Sequence, residues 1–331
     1  RLKDDVEEIS NIRLGYTGRF VDDSFKATEY NLTVEHASDF PSLDGFLLDD
    51  YYNRDNLSSG WFKIQKNVDK YTVTKNIHSA YAEATYQFTS RWIVNLGLKY
   101  DYVDINVDYN VNRGGSEGSN TIRKDYFLPS LNLKYNLNEK HSLRLGASKT
   151  YTLPQAKEIS PYRYVGVNFN SQGNPNLKPS DNYNFDLKWD FNPSPTELVS
   201  LTAFYKHIKD PISRIEVASA GGYLSYENIS DRAIVAGVEV EIRKNLFVRP
   251  LSSAANGMNK LSFGLNGSYI YTNAKMPLAT VTTGSQLEGA APWIANFDLS
   301  HHFTRDERSF VNTLVLNYVS DKIYTIGTQG Y

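Results

Sequence analysis

Glu239 and Glu241 are the first candidates for chemistry in this sequence. They alternate with Val238, Val240 and Ile242, so in an extended strand both carboxylates share one face. Their spacing there is roughly 7 Å, a separation that an inverting hydrolase uses for its acid and base. Arg243 lies on the same face, and the pattern reads more simply as a solvated, charge-paired row. His301 and His302 are adjacent, so on a strand they point to opposite faces and cannot chelate one metal together. One of them is expected in an interfacial girdle. The stretch 39–55 carries Asp39, Asp44, Asp49, Asp50, Asn53 and Asp55. These are oxygen donors of the kind calcium takes, yet the same residue types dominate ordinary loops. The sequence has no Cys and no HExxH, GxSxG or Walker-type stretch. No catalytic residue, metal or cofactor is therefore expected, and the protein is not expected to be an enzyme.

A binding role has one candidate cluster. Tyr162, Arg163, Tyr164 and Phe169 combine aromatic faces with a guanidinium just before a rigid corner, Gly173-Asn174-Pro175-Asn176-Leu177-Lys178-Pro179. Aromatic and Arg side chains on a loop can stack on a sugar, a siderophore or a haem edge. The competing reading has them pack the loop onto itself.

The elements that must position these groups are strands. The net charge of −2 gives no reason to expect nucleic acid as a partner. No run of about 18 apolar residues exists, and mean hydropathy is −0.47, so there is no transmembrane-helix signal. Aromatic residues nevertheless make up 13% of the chain. A β-barrel hides its apolar band in every second residue, and this chain alternates in that way. From Trp92 the set Val94, Leu96, Leu98, Tyr100 and Tyr102 faces one side, with Asn95, Gly97, Lys99 and Asp101 on the other. At a tilt of about 40° that run rises ~25 Å, the height of an outer-membrane apolar band. Leu133 and Tyr135 oppose Lys134, Leu143 and Leu145 oppose Arg144, Leu187 and Trp189 oppose Asp186 and Lys188, and Val238 and Val240 oppose Glu239, Glu241 and Arg243. An interior lined by those charges fits only a wet or polar-plugged lumen, because unpaired buried charge is costly.

Short turns fall at 89–91, 138–140, 193–196 and 304–307, with a longer one at 249–259. Long polar connections fall near 37–75, 110–124, 152–181, 209–231 and 274–291, which is the periplasmic–extracellular asymmetry of outer-membrane barrels. Strand-like runs at 11–21 and 25–36 flank an Asp-rich turn at 21–24. The expectation is an all-β, transmembrane antiparallel β-barrel over 1–331, with about 12 strands of about 10 to 17 residues, the first running inward and the last outward.

The corner Gly173–Pro179 resembles a signature of TonB-dependent outer-membrane receptors, and the expected strand follows it. Ala80-Tyr81-Ala82-Glu83 through Gly97-Leu98-Lys99-Tyr100, Ser148-Lys149-Thr150-Tyr151, Gly237-Val238-Glu239-Val240-Glu241 and Gly289-Ala290-Ala291-Pro292-Trp293 are similar to further family segments, in a form common among Bacteroidota. Ser180 stands where many members carry Glu. The resemblance implies part of a 22-stranded barrel with a plugged lumen, whose N-terminal plug, TonB box and last strands lie outside this sequence. It also implies residence in the bacterial outer membrane and contact with its lipid. Energised import of a bulky nutrient through the TonB-ExbB-ExbD complex would follow, with a SusD-type surface lipoprotein as a further partner. Glycan, siderophore, haem, cobalamin and peptide all remain open as substrates. A passive pore or structural barrel is the alternative, and a soluble β-sandwich a weaker one.

Overall fold

The computed structural model describes residues 10–34, 53–111, 116–217, 222–251, 257–274 and 286–327. Eleven strands form one antiparallel meander: β1 (Asn11–Val34), β2 (Phe62–Gln87), β3 (Trp92–Val111), β4 (Ser116–Asn136), β5 (His141–Thr152), β8 (Ser180–Phe191), β9 (Leu198–Lys209), β12 (Arg232–Pro250), β13 (Met258–Ala274), β14 (Trp293–Arg305) and β15 (Arg308–Val319). Five short strands make a second sheet in the order β16 (Ile326–Gly327), β10 (Ile212–Val217), β11 (Tyr223–Asn228), β7 (Asn170–Gln172) and β6 (Arg163–Tyr164). Helix is confined, among the described residues, to two single turns, α1 (Arg54–Ser58) and α2 (Ala156–Ile159). Neither can cross a membrane, which says nothing about crossing by strands. The calcium candidate 39–55 lies largely outside the described residues, as do 275–285 of the 274–291 connection.

Register fixes which side chains share a face, because directly opposed residues point the same way. Ser79, Asp101 and Tyr126 stand in one row, and Lys99 opposes Tyr81 and Leu128. The predicted inner and outer sets of β3 and β4 therefore stay together across the sheet, and β2 continues them. On the outer face Tyr16, Phe20, Tyr100 and Phe127 are exposed apolar rings. Tyr16 Oη lies 2.7 Å from His78 Nδ1, and Tyr100 donates to Asp125 at 2.5 Å, so ring edges reach up to polar partners as interfacial aromatics do. At the opposite end Trp92 stacks on Tyr135 at 4.3 Å and His141 on Phe191 at 4.4 Å.

Several predicted boundaries are overturned, and for one reason. The Asp22–Asp23 turn is absent, since both residues pair within a continuous β1, against Thr74 and Val73. β1 thus runs outward rather than inward, and the wall has eleven strands. The predicted loop 37–75 gives way to β2 from Phe62 onward, and β2 is 26 residues long. The predicted loop 110–124 is mostly β4, which pairs with β3 from Ser116. In each case the apolar pattern changes sides rather than ending. Below Tyr102 the outer residues of β3 are apolar and the inner ones polar; above it Asp104, Asn106, Asp108 and Asn110 face out while Val103, Ile105 and Val107 face in. The strands leave the hydrocarbon band there and continue as water-facing sheet. Polar residues on the outer face look like loop to a pattern search, although the backbone ladder is unbroken.

The inner face of that extension is dry. Val103 and Ile105 are 0% exposed, packed with Tyr71, Val73, Ile77, Val107 and Tyr126 against Ile159 and Leu177 of the segment that follows β5. Ile105→Ala should therefore cost about 2–5 kcal/mol, whereas Asp108→Ala on the outer face of the same strand should stay within about 0.5 kcal/mol. Urea titration of the detergent-solubilised full chain, followed by heat-modifiable gel mobility, would read both; equal losses would contradict the assignment of faces.

Candidate functional site: the inner wall and the loop latch

The charged inner wall is built by register. Lys134, Arg144, Lys188, Thr202 and Glu239 are successive partners across β4, β5, β8, β9 and β12. Arg144 Nε and Lys188 Nζ both approach Asp190, at 3.4 and 3.5 Å. Glu241 pairs with Arg243 at 2.7 Å, as the charge-paired reading expects. Lys134, Arg144, Asp186, Lys188 and Glu239 line one groove of about 570 Å³. Lys99 and Asp101 lie apart from it, 2.9 Å from each other, near the wet–dry boundary. His301 faces outward and meets Asn259 at 2.8 Å, while His302 opposes Lys260 on the inner face.

Tyr151 is a residue that alternation misplaces. Its parity on β5 is outward, yet its hydroxyl donates to Asp101 at 2.7 Å and its ring stacks on Tyr126 at 3.9 Å. The β4–β5 ladder ends at Ser130 and Ser148, so above that pair nothing holds β5 against β4 and the ring turns into the opening. No local sequence signal marks this.

The segment after β5 folds onto the dry inner face. Tyr162 and Tyr164 are half-buried there: Phe25 lies 4.7 Å from Tyr162 and 5.6 Å from Tyr164, and the Tyr71 and Tyr164 hydroxyls are 2.5 Å apart. Burial, then the Tyr71 contact, raises the Tyr164 pKa above its ordinary value. Arg163 lies over the Tyr223 ring at 5.1 Å. Phe169 is the exposed member, 6.3 Å from an exposed Tyr324, and Val165 and Val167 beside it are also exposed. The four candidates thus split into two packing rings, a bridging guanidinium and a free aromatic tip.

The corner binds three segments together. Asn174 N donates to Glu158 O, and Gly173 must lack a Cβ because one would sit 2.1 Å from Ser160 O. Asn174 Nδ2 donates to Tyr226 O at 2.9 Å. Lys178 N donates to Asn228 Oδ1 at 2.9 Å, while Asn228 Nδ2 donates to both Lys178 O and Asp210 O. Asn120 of β4 donates to Pro175 O. Leu177 is buried in the core beneath. Glu158 closes α2 by accepting from Gln155 N at 2.8 Å, and burial raises its pKa above the usual carboxylate range. No local sequence signal marks the three-way bonding of Asn228.

The second sheet extends this tie. Arg214 of β10 donates to Glu288 at 2.6 Å and lies over Tyr324 at 4.1 Å. Burial opposes the Arg214 charge, and the Glu288 carboxylate outweighs it, leaving the pKa above its ordinary value. β10 also pairs with β16, and β11 with β7. Residues 163–172, 212–217, 223–228, 288 and 324–327 therefore form one connected cap.

A meander with an apolar outer band, a charged inner wall and long loops folded over one end is an outer-membrane barrel wall. Residues 5–330 match the family described as TonB dependent receptor-like, beta-barrel, and the chain belongs to that family. An iron-regulated outer membrane virulence protein of Vibrio cholerae is 26% identical over 203 residues, covering 58% of this chain and 28% of that protein. A probable TonB-dependent siderophore receptor, PirA of Acinetobacter baumannii, is 28% identical over 170 residues, covering 48% and 20%. Among solved structures, the ferric yersiniabactin uptake receptor FyuA of Yersinia pestis matches 93% of this chain and 44% of its own at a TM-score of 0.53 and 14% identity. The chain spans under a third of the length of these curated relatives. Its setting is the bacterial outer membrane.

Removing the Asn228 side chain takes a partner from the Lys178 N–H and from the Lys178 and Asp210 carbonyls; the two bonds to Lys178 are exposed, so each bond lost is worth about 0.5–1.5 kcal/mol. Asn228→Ala should speed proteolysis in the 153–179 segment on intact cells while leaving the wall's heat-modifiable gel shift in place. Unchanged cleavage would refute the latch.

Proposed function

We propose that this chain forms eleven strands of the barrel wall of an energised outer-membrane transporter that imports a bulky, scarce nutrient. The observation that carries this reading is the cap: the loops above the wall are tied into one sheet over a polar inner surface. Such a mouth suits capture and release of a ligand more than free diffusion. In this mechanism the cap holds the ligand, a plug supplied by N-terminal sequence shifts under the pull of TonB-ExbB-ExbD, and the cargo passes across the row from Lys134 to Glu239. The 22-strand form of the barrel, the Bacteroidota-type form and a SusD-type partner rest on the motif resemblance alone. A ferric chelate is the cargo favoured by the names of the relatives, ahead of glycans, haem, cobalamin and peptides.

The ligand-facing residue of this reading is Phe169, with Arg163 behind it; Tyr162 and Tyr164 hold the loop. Cells carrying the full gene should take up labelled ferric chelate, and a protonophore should abolish uptake. Phe169→Ala should weaken binding to intact cells several-fold with the gel shift unchanged. Uptake insensitive to the protonophore, together with ion conductance of the purified protein in planar bilayers, would establish a passive pore instead.

A further inference from the structure

The outer rim above the aromatic girdle differs in charge from one part of the wall to the next. On β1, β3 and β4 the residues just above the rings are Asp22, Asp104 and Asp125. On β5, β8, β9 and β12 they are mostly cationic. Lys209 and Arg232 are directly opposed across β9 and β12. Both are exposed, and neither makes an ion pair among the described residues. Like charges in directly opposed positions repel, so this pair is unfavourable unless an anion sits between them. Asp181, the partner of Lys209 on its other side, is already held by Lys124 Nζ at 3.1 Å and Lys149 Nζ at 3.5 Å. Asp210 and Asp231, next to the two cations in the chain, make no ion pair with them among the described residues. One row lower Lys149, Tyr183 and His207 are successive partners, and the Lys149 ammonium lies over the Tyr183 ring at 5.6 Å. Below them come the exposed rings of Phe185, Tyr205 and Tyr271.

The vertical order on one face is therefore aliphatic, aromatic, then paired cations. On β9 that order is Leu201, Ala203, Tyr205, His207 and Lys209, which puts the ammonium about 10 Å above the girdle ring in a strand tilted by about 40°. That is headgroup height. A guanidinium and an ammonium side by side suit a phosphate, the Arg bidentate and the Lys as a point charge. We propose that Lys209 and Arg232, flanked by Lys149 and His207, bind the phosphate of an outer-leaflet glycolipid whose acyl chains lie on Leu187, Leu201 and Tyr205. The inference rests on the outer-membrane setting and not on what the protein transports. An acidic protein partner is the competing occupant, but it would have no use for the acyl-length apolar strip directly below.

The test uses the full-length protein in detergent, with vesicles of phosphatidylcholine containing either a phosphorylated glucosamine glycolipid or its dephosphorylated form. The native protein should prefer the phosphorylated vesicles and carry glycolipid through purification, as read by native mass spectrometry. The double substitution Lys209→Glu with Arg232→Glu should reduce both by an order of magnitude, while Lys26→Glu on the outer face of β1 should not. If the double variant lost its heat-modifiable gel shift, Lys209→Gln with Arg232→Gln would be read in its place. Glycolipid retention equal to the parent in a folded variant would overturn the proposal. So would displacement of the glycolipid by millimolar-scale inorganic phosphate, which would make the site a free-anion site, or loss of a co-purifying acidic protein with lipid retained.

Discussion

Backbone hydrogen bonding is the interaction on which the rest of this structure depends. In a hydrocarbon layer no water satisfies an N–H or C=O, so an extended chain can cross only as part of a continuous ladder. The eleven-strand meander supplies that ladder from β1 to β15, with every neighbour antiparallel. Once the ladder is set, side-chain direction has a period of two, and the bilayer outside and the lumen inside select opposite residue classes at alternate positions. Glycines mark where the inner face needs room. Gly237 lies under the Phe204 ring, and a Cβ there would sit 2.4 Å from it. Gly15 has the same relation to Tyr81. Each pair puts an aromatic ring over a residue with no side chain of its own, which keeps the sheet surface filled and the register pinned.

The same ladder explains why the wall does not stop at the membrane. β1 to β4 continue upward with the two faces exchanged, apolar inward and polar outward. A water-facing sheet must bury its apolar side against something, and here the segment after β5 provides it with Ile159, Leu177 and the ring of Tyr162. The dry core of this chain therefore lies above the hydrocarbon band, not within it. Inside the band the inner wall is wet and charged, with Arg144, Lys188 and Asp190 sharing one contact network. The structure divides along that line: a packed upper region that holds loops in place, and a polar, charged lower wall.

The corner at Gly173–Pro179 joins the two regions. Its prolines remove backbone donors that would otherwise need partners, and its Asn side chains supply the bonds that an irregular segment cannot make through its backbone. Asn174 and Asn228 reach across to carbonyls of neighbouring segments, and Leu177 anchors the turn in the core. Arg214 and Glu288 repeat the arrangement between later loops, as a charge-assisted contact sheltered from full solvent. The cap is thus cross-linked at two separate points.

Alternation alone determined much of this. The outer and inner sets of β3, β4, β5, β8 and β12, the aromatic girdles and the tight turns at 89–91, 138–140, 193–196 and 304–307 follow from local patterning, which survives without knowledge of neighbours. The row from Lys134 to Glu239 was legible as inward-facing charge. Register across five strands is what made it a single row, since register depends on pairing between segments far apart in sequence. The upper halves of β1 to β4 were read as loops because their outer residues are polar, and only the ladder reveals them as strands. Tyr151 turns inward against its parity on β5 where the β4–β5 ladder ends early, an event with no sequence mark. Tyr162, Arg163, Tyr164 and Phe169 were one cluster in sequence; tertiary packing sorted them, burying two rings against Phe25 and Tyr71 and leaving Phe169 in solvent. Faces are a property of the strand, but what covers a face is decided by chain segments that the strand itself does not encode.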